Sequence, residues 1–377
     1  MRQAPKRPPS PRSASTIRSL ELTHRGSGRR RLLASLLGFA AASCTSPEPT
    51  PGTERPWHHG PEGFRNPPGS PERGGSFADW ADFFWRRLGR REPPPALPPG
   101  HVRPAGEALA AFERPERPDA LVWLGHAAFL LRLSGRTVLI DPFLSDWASP
   151  VPPLGPRRFA PPPLGTAALP TIDLVLLTHN HYDHLDLPAL EAVAARDRPV
   201  LVTTLGVSAY VRGLPWRAVH ELDWHERIEI AGLGITALPA IHFSKRTLFD
   251  RNRSLWCGFR VEDGRRIVQT AGDTAFGPVF AELARRYPPP DLLLVPIGAY
   301  EPRELMKGSH CTPEEAVAIA TTLGAERLVA MHWGTIVLTD EPPFEPPERF
   351  RRAAYAAGLE VDRRALVPAI GEVLPIG

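Results

Sequence analysis

Three histidines and one aspartate lie within six residues of the chain, in the order His-x-His-x-Asp-His. They are His179, His181, Asp183 and His184, and they follow the apolar run 172–177. Imidazole nitrogens and carboxylate oxygens are ligands that zinc prefers when thiolates are absent. His179 and His181 stand two residues apart, so an extended turn lets both bind one ion, while Asp183 and His184 can begin a second site. The motif predicts metal chemistry that needs ligands from elsewhere in the chain.

Three more candidate ligands follow other apolar runs. His242 ends the run 235–242, Asp273 ends the run 266–273 beside a glycine, and His332 ends the run 327–332. Apolar runs of this length are typical of buried strands, so each run delivers one side chain to the end of a strand. The seven nitrogen and oxygen donors suit two zinc ions, with three for each ion and one shared. We predict that Asp273 is the shared ligand.

Three further residues stand near these positions. His310 precedes a helix that begins with a capping box from Thr312 to Glu315, which places it just outside the helix N-terminus. Asp141 ends the predicted strand 137–141. We favour a role in which it hydrogen-bonds a metal-bound histidine over that of a plain turn residue. His126 ends the predicted strand 120–126, and the sequence leaves open whether it is a polar neighbour of the site or a turn residue.

The elements that position these residues alternate between short apolar strands and helices, which predicts an α/β fold. The chain has 377 residues, of which 42% are hydrophobic and 23% charged. This is an ordinary globular composition. We predict four parts: an export-like leader over 1–43, a Pro- and Gly-rich linker over 44–76, a helical lead-in segment over 77–117 and a main domain with the candidate metal ligands over 118–377.

The first 43 residues carry most of the positive charge. They contain nine basic residues and one acidic residue, which leaves 36 basic against 40 acidic residues in the remainder. The remainder is therefore mildly acidic, and we predict no nucleic-acid partner. Arg29–Arg31, a short apolar stretch and Cys44 are typical of an exported, membrane-anchored lipoprotein with a twin-arginine-like signal and acylation at Cys44. The alternative is an uncleaved leader on a cytoplasmic enzyme.

The stretch 77–88 predicts an amphipathic helix, since its apolar residues recur at helical spacing. Arginines stand at 86 and 87, near its end, and at 90 and 91, just after it. The sequence leaves two interpretations open: the apolar stripe lies at a lipid interface, or it packs on its own domain.

Together these motifs resemble the N-acylphosphatidylethanolamine-hydrolysing phospholipase D family of the metallo-β-lactamase superfamily. The resemblance runs from about residue 64 to the C-terminus. It rests on the segments 123–127, 141–142, 145–150, 155–159, 178–186, 221–224, 245–248, 297–303, 306–307, 313–317, 332–335 and 345–347.

The resemblance implies an αβ/βα four-layer sandwich, with two mixed β-sheets flanked by helices and two zinc ions at one edge. By the family pattern one zinc is held by His179, His181 and His242, and the other by Asp183, His184 and His332, with Asp273 between them. His310 matches an active-site histidine that either positions the phosphate or protonates the leaving alcohol.

The implied reaction is phospholipase D-type cleavage of a phospholipid phosphodiester by a hydroxide that bridges the two zinc ions, in which Asp183, Asp273 and His310 are the catalytic residues. The expected partners are the phospholipid substrate and a membrane surface, and a homodimer is left open. Two alternatives remain: another hydrolase of the same fold, such as a lactonase or related ester hydrolase, and a non-catalytic zinc-binding envelope lipoprotein.

Overall fold

A computed structural model describes residues 55–89, 93–116 and 118–376. The predicted leader and Cys44 lie outside the described residues. Residues from Pro56 to Gly377 form one compact unit. Among the described residues, the helices are all too short or too polar to cross a bilayer.

Sixteen strands and seven α-helices make up this unit in the described ranges. The strands are β1 (His59–Gly60), β2 (Gly63–Phe64), β3 (Ala120–Gly125), β4 (Ala128–Leu133), β5 (Arg136–Ile140), β6 (Leu174–Leu177), β7 (Val200–Thr204), β8 (Ala218–Leu222), β9 (Arg227–Ile230), β10 (Leu233–Leu238), β11 (Gly258–Glu262), β12 (Ile267–Thr270), β13 (Leu292–Pro296), β14 (Arg327–Met331), β15 (Ala365–Leu366) and β16 (Val373–Pro375). The helices are α1 (Phe77–Gly89), α2 (Ala105–Phe112), α3 (Leu187–Asp197), α4 (Val279–Arg286), α5 (Arg303–Met306), α6 (Pro313–Leu323) and α7 (Pro346–Ala356), with 3₁₀ turns at Thr166–Ala168 and Ser208–Val211.

Two seven-stranded sheets dominate the fold. One has the order β16-β3-β4-β5-β6-β7-β8 and the other the order β15-β14-β13-β12-β11-β10-β9. Both are mixed: β3–β5 and β9–β12 pair antiparallel, whereas β5–β8 and β12–β15 pair parallel. Two mixed sheets with helices confirm the predicted fold class.

The larger core lies between the sheets, because alternate residues of each strand point to opposite faces. Trp123 and Phe129 of the first sheet join Ile235, Phe259 and Leu292 of the second in one buried cluster. A second cluster forms on the outer face of the first sheet, where the other strand residues pack against α3. Strands that are buried on both faces read as continuous apolar runs, which is why their ends were predictable.

Phe259→Ala should destabilise the fold by about 3–5 kcal/mol, the usual cost of truncating a buried aromatic side chain. Phe259 is 0% exposed and lies in the cluster between the sheets. Urea unfolding followed by circular dichroism measures the free energy of unfolding. Phe249→Ala is the matched control, because Phe249 is 89% exposed. Its truncation should change the free energy of unfolding by less than about 0.5 kcal/mol, as is usual for surface substitutions. Equal effects of the two substitutions would contradict this placement of the core.

Residues 56–76 differ from the predicted linker, because they belong to the compact unit and contain β1 and β2. His58 and His59 hydrogen-bond the two carboxylate oxygens of Asp223 at 2.6 and 2.7 Å. The Phe64 amide donates to the Asn252 carbonyl at 2.8 Å. These contacts join the segment to residues more than 160 positions away, which local composition does not reveal.

Candidate metal centre

The ends of several strands bring the predicted ligands together at one edge of the two sheets. β6 leads into His179, β10 into His242, β12 into Asp273 and β14 into His332. Gly272 precedes Asp273 with φ +63°, and a Cβ at this position would lie 2.5 Å from the Cys257 carbonyl oxygen. Only glycine fits this turn without strain.

His179, His181 and His242 form one group of converging nitrogens. His179 Nε2 lies 2.8 Å from His181 Nδ1, and His242 Nε2 lies 3.2 Å from the same atom. The far nitrogens of two of these rings are already bonded: His179 Nδ1 donates to Thr178 Oγ1 at 2.9 Å and His242 Nδ1 to the Ser309 carbonyl at 2.9 Å. These bonds fix the tautomers that leave the inward nitrogens free to bind a cation.

Asp183, His184 and His332 form the second group, and Asp273 lies between the two groups. Asp273 Oδ2 is 3.2 Å from His184 Nε2, 3.0 Å from His332 Nε2 and 3.8 Å from His242 Nε2. Asp183 Oδ2 lies 3.8 and 3.7 Å from the same nitrogens of His184 and His332. One carboxylate thus faces nitrogens of both groups, which is the geometry of a shared ligand.

The donor set fits divalent cations. His184 Nε2, His332 Nε2 and Asp273 Oδ1 are buried and have no hydrogen-bond partner in the described chain. Buried polar atoms without partners are costly, and several of them converging on one point are expected where a metal ion supplies the missing interaction. Nitrogen and carboxylate donors are typical zinc ligands.

Burial and local charge divide these histidines into two electrostatic classes. Burial, reinforced by neighbouring histidines, lowers the pKa of His181 to about 3, and burial lowers the pKa of His242 to about 4. Burial also acts to lower the pKa of His332, but Asp273 and Asp183 outweigh it and raise that pKa to about 9. For His184 the same carboxylates, with Asp141, outweigh burial and raise the pKa well above its ordinary value.

Asp141 lies behind the second group, in contact with His184. Its Oδ2 accepts a hydrogen bond from His184 Nδ1 at 2.8 Å, and its two oxygens accept from the amide and hydroxyl of Thr178 at 2.8 and 2.6 Å. Asp141 adopts a φ of 40°. This value lies in the left-handed region that non-glycine residues rarely occupy. The carboxylate therefore orients His184 and holds the turn that carries His179.

Asp141→Asn should weaken binding of the metal at the His184 side by about 10–100-fold, the usual cost of losing a partner of a metal-bound histidine. An amide cannot accept at both oxygen positions, so either Thr178 or His184 loses its bond. Competition with a chromogenic chelator measures the affinity. Asp146→Asn is the matched control, because the Asp146 side chain is 71% exposed. Unchanged affinity in the Asp141 variant would contradict the orienting role.

His126 also contacts the site, which decides the question that the sequence left open. Its Nε2 donates to Asp183 Oδ2 at 2.8 Å, and its ring centroid lies 4.0 Å from that of His332. Burial, then the nearby His332, lowers its pKa to about 3, so the ring is a neutral donor that orients the Asp183 carboxylate. Both His126 and His332 have positive φ, at 56° and 64°. Such values indicate a backbone that its surroundings hold in place.

His310 lies beside the cluster. Its ring centroid is 5.0 Å from that of His242 and 5.4 Å from that of His332, and it forms a further candidate ligand group with His242 and Asp273. Its Nδ1 is buried without a hydrogen-bond partner in the described chain, and burial lowers its pKa well below the ordinary value. His310 is therefore a neutral imidazole beside the predicted metal ligands.

Asn66 is a site residue that the sequence analysis missed. Its Nδ2 donates to the His242 carbonyl and its Oδ1 accepts from the His242 amide, both at 2.9 Å. The same Oδ1 accepts from Trp256 Nε1 at 3.0 Å. Asn66 therefore fixes the backbone of a predicted metal ligand from the segment that was predicted to be a linker. The only local signal is the dipeptide Asn66-Pro67, which is too common to identify such a role.

A family model described as a beta-lactamase superfamily domain matches residues 136–333, more than half of the chain. The chain belongs to the metallo-β-lactamase superfamily. It is a metal-dependent hydrolase with the metallo-β-lactamase fold, as the sequence predicted. The matched range contains all of the predicted metal ligands, from His179 to His332.

The chain is similar to several curated proteins. It is 38% identical over 261 residues to an uncharacterised protein of Mycobacterium tuberculosis, covering 67% of this chain and 69% of that protein. It is 35% identical over 263 residues to N-acyl-phosphatidylethanolamine-hydrolyzing phospholipase D 1 of Caenorhabditis elegans, covering 67% of this chain and 74% of the worm protein. A UPF0173 metal-dependent hydrolase of Methanopyrus kandleri is 32% identical over 253 residues, covering 66% of this chain and 96% of the archaeal protein.

A solved structure shares the fold. The isothiocyanate hydrolase from Delia radicum gut bacteria superposes with a TM-score of 0.54 at 22% identity, covering 68% of this chain and 98% of that chain. At this identity the similarity concerns the fold alone, since one fold supports many reactions.

Proposed function

We propose that this protein is a phospholipase D-type phosphodiesterase that uses two zinc ions to hydrolyse N-acylphosphatidylethanolamine. The observation that carries the proposal is Asp273, whose carboxylate faces nitrogens of both histidine groups. The 35% identity to the worm phospholipase D supports the choice of substrate.

The donors divide between two ions in this proposal. One zinc ion would be held by His179, His181 and His242 and the other by Asp183, His184 and His332, with Asp273 as a ligand that both ions would share. When bound, zinc lowers the pKa of a coordinated water to about 7 and neutralises charge on phosphoryl oxygens. A structural zinc site alone would need only four ligands, so a set of seven supports a catalytic role.

His310 positions the substrate phosphate. Because burial lowers its pKa well below the ordinary value, the ring is neutral at physiological pH and has no extra proton to give to the leaving alcohol. Cations bound at the neighbouring ligands would lower this pKa further. A hydrogen bond from neutral His310 to a phosphate oxygen agrees with this charge state, so we favour positioning over protonation of the leaving group.

A membrane surface supplies the substrate, and exposed apolar side chains support this partner. On α1, Phe83 is buried against Leu305 and Met306, whereas Phe77, Phe84 and Trp85 are 90%, 55% and 77% exposed. One face of the helix therefore packs on its own domain and another faces outward. Exposed aromatic residues next to arginines suit the interface of a bilayer.

A second exposed apolar pair lies on a loop that is hydrogen-bonded to the turn of the predicted metal ligands. Leu248 and Phe249 are 80% and 89% exposed. Their loop is held to the ligand turn, because the Lys245 amide donates to Asn180 Oδ1 at 3.0 Å and Tyr182 donates to the Arg246 carbonyl at 3.0 Å. Export and anchoring through Cys44 would place the enzyme at such a surface, and we propose this location.

Turnover on a substrate panel tests the proposed reaction. The zinc-loaded protein should release N-acylethanolamine and phosphatidate from N-acylphosphatidylethanolamine, and should leave a lactone and a cephalosporin largely intact. A different ester hydrolase is the second candidate, because the archaeal metal-dependent hydrolase matches over 96% of its own length. Faster turnover of the lactone than of the phospholipid would support that candidate and overturn ours.

A further inference from the structure

A cavity of about 320 Å³ lies beside the metal ligand His242, outside the metal cluster. Asn66, Arg73, Phe243, Arg251 and Ser309 are among the residues that line it. Its volume falls within the range of about 300–1,000 Å³ that is usual for small-molecule sites. Of the candidate metal ligands, His242 lines this cavity, whereas His310 and the other six do not, so the cavity adjoins the candidate metal centre through one residue.

Two arginine side chains give this cavity a positive charge. The Arg73 guanidinium carbon lies 3.7 Å above the Trp80 ring, and that of Arg251 lies 4.5 Å above the Phe243 ring. Stacking on an aromatic face holds each guanidinium in place while its N–H groups remain free. Neither forms an ion pair with a carboxylate of the described chain within 4.0 Å.

Both guanidinium groups are partly buried, and this partial burial lowers the pKa of each. Burial, then the charge of Arg251, lowers the pKa of Arg73. Glu72 also lines the cavity, but its carboxylate is beyond ion-pair distance from both arginines. Two like charges that line one cavity without a counter-ion favour binding of an anion, and guanidinium groups match the geometry of a phosphate.

The wall that carries Arg73 is fixed by close contact between backbones. A Cβ on Gly308 would lie 2.8 Å from the Arg73 amide nitrogen, and a Cβ on Gly74 would clash with the Glu304 carbonyl oxygen. Both glycines allow the segment to press against the chain around α5. The position of Arg73 is therefore set by the fold and does not depend on a flexible tail.

We propose that this cavity binds the phosphate group of a second, anionic phospholipid that is not hydrolysed there. Arg73 stacks on Trp80 of α1, the helix whose Phe77, Phe84 and Trp85 are exposed, so the cavity lies next to the apolar surface on which a lipid headgroup would arrive. Free phosphate offers the same chemistry without the chains. The inference uses the proposed membrane-facing helix but not the hydrolytic reaction.

Vesicle binding by the metal-loaded protein tests this site without turnover. Sedimentation is measured with vesicles of phosphatidylcholine alone and of phosphatidylcholine mixed with phosphatidylglycerol. The double variant Arg73→Gln/Arg251→Gln should lose affinity for the anionic vesicles by on the order of tenfold, and should bind neutral vesicles like the wild type. Arg212→Gln/Arg253→Gln is the matched control, because these residues are exposed like Arg73 and Arg251 but do not line the cavity, and the change in net charge is equal.

Three outcomes would overturn the proposal. Equal losses in both double variants would indicate general attraction of positive charge to the membrane. Unchanged binding in Arg73→Gln/Arg251→Gln, with the thermal unfolding midpoint of the wild type, would exclude the site. Inorganic phosphate could raise the thermal unfolding midpoint of the wild type but not of Arg73→Gln/Arg251→Gln, while both proteins bind vesicles with the same affinity. In that case the site takes free phosphate and not a lipid. Arg73→Lys/Arg251→Lys should retain most of the vesicle affinity, which separates loss of charge from misfolding.

Discussion

Asp273→Asn should reduce turnover of N-acylphosphatidylethanolamine by on the order of 10³-fold. Asp273 Oδ2 lies within 3.8 Å of nitrogens from both histidine groups. An amide is a weaker metal ligand and removes one negative charge from the centre. Charge stabilisation by metal ions contributes several kcal/mol to such reactions, and each 1.36 kcal/mol in the barrier changes the rate about tenfold.

Steady-state kinetics together with metal analysis shows whether a lower turnover comes from loss of bound zinc or from a slower reaction with zinc retained. Asp362→Asn is the matched control, because the Asp362 side chain is 71% exposed and its substitution should leave turnover unchanged. If the Asp273 variant retained full zinc and turned over like the wild type, the shared-ligand role would be wrong.

The two ligand groups should lose their metal in different pH ranges. In the metal-free protein the pKa of His181 is lowered to about 3 and that of His242 to about 4, so these rings stay neutral and ready to bind at any pH above that range. Carboxylates raise the pKa of His332 to about 9, so this ring is protonated at pH 7 and must release its proton before it can bind. Metal affinity at the second group should therefore rise with pH up to about 9.

Below that pH, we expect the metal affinity of the second group to fall on the order of tenfold per pH unit for each proton that the metal must displace. The first group should keep its metal affinity down to about pH 4. Metal content after dialysis at a series of pH values measures both groups. His332→Gln should make the metal affinity of the second group much less dependent on pH, because the substitution removes one titrating ring. Loss of both ions over a single pH range would contradict the two electrostatic classes.

The ligand set was predictable because each ligand follows a buried strand. An apolar run indicates such a strand, and in the structure β6 of one sheet and β10, β12 and β14 of the other lead into His179, His242, Asp273 and His332 at one edge of the two sheets. The capping box before α6 was also predictable, since its residues are close in sequence, and the structure contains it.

The parts that the sequence did not reveal depend on contacts between distant residues. Asn66 bonds His242 across 176 positions, and a Pro- and Gly-rich composition predicts a linker wherever such contacts are unknown. The strand β11 and the helices α4 and α7 were likewise not predicted. The charge states of His310 and His332 follow from burial and from neighbouring carboxylates, which no linear pattern records.

Hydrolysis of N-acylphosphatidylethanolamine in water labelled with heavy oxygen tests the central claim most directly. If the chain's seven donors hold two zinc ions that direct attack at phosphorus, mass spectrometry should find one labelled oxygen in the phosphate of the released phosphatidate and none in the N-acylethanolamine. Label in the N-acylethanolamine, products that come from ester cleavage, or no turnover by the fully zinc-loaded protein would contradict the proposal.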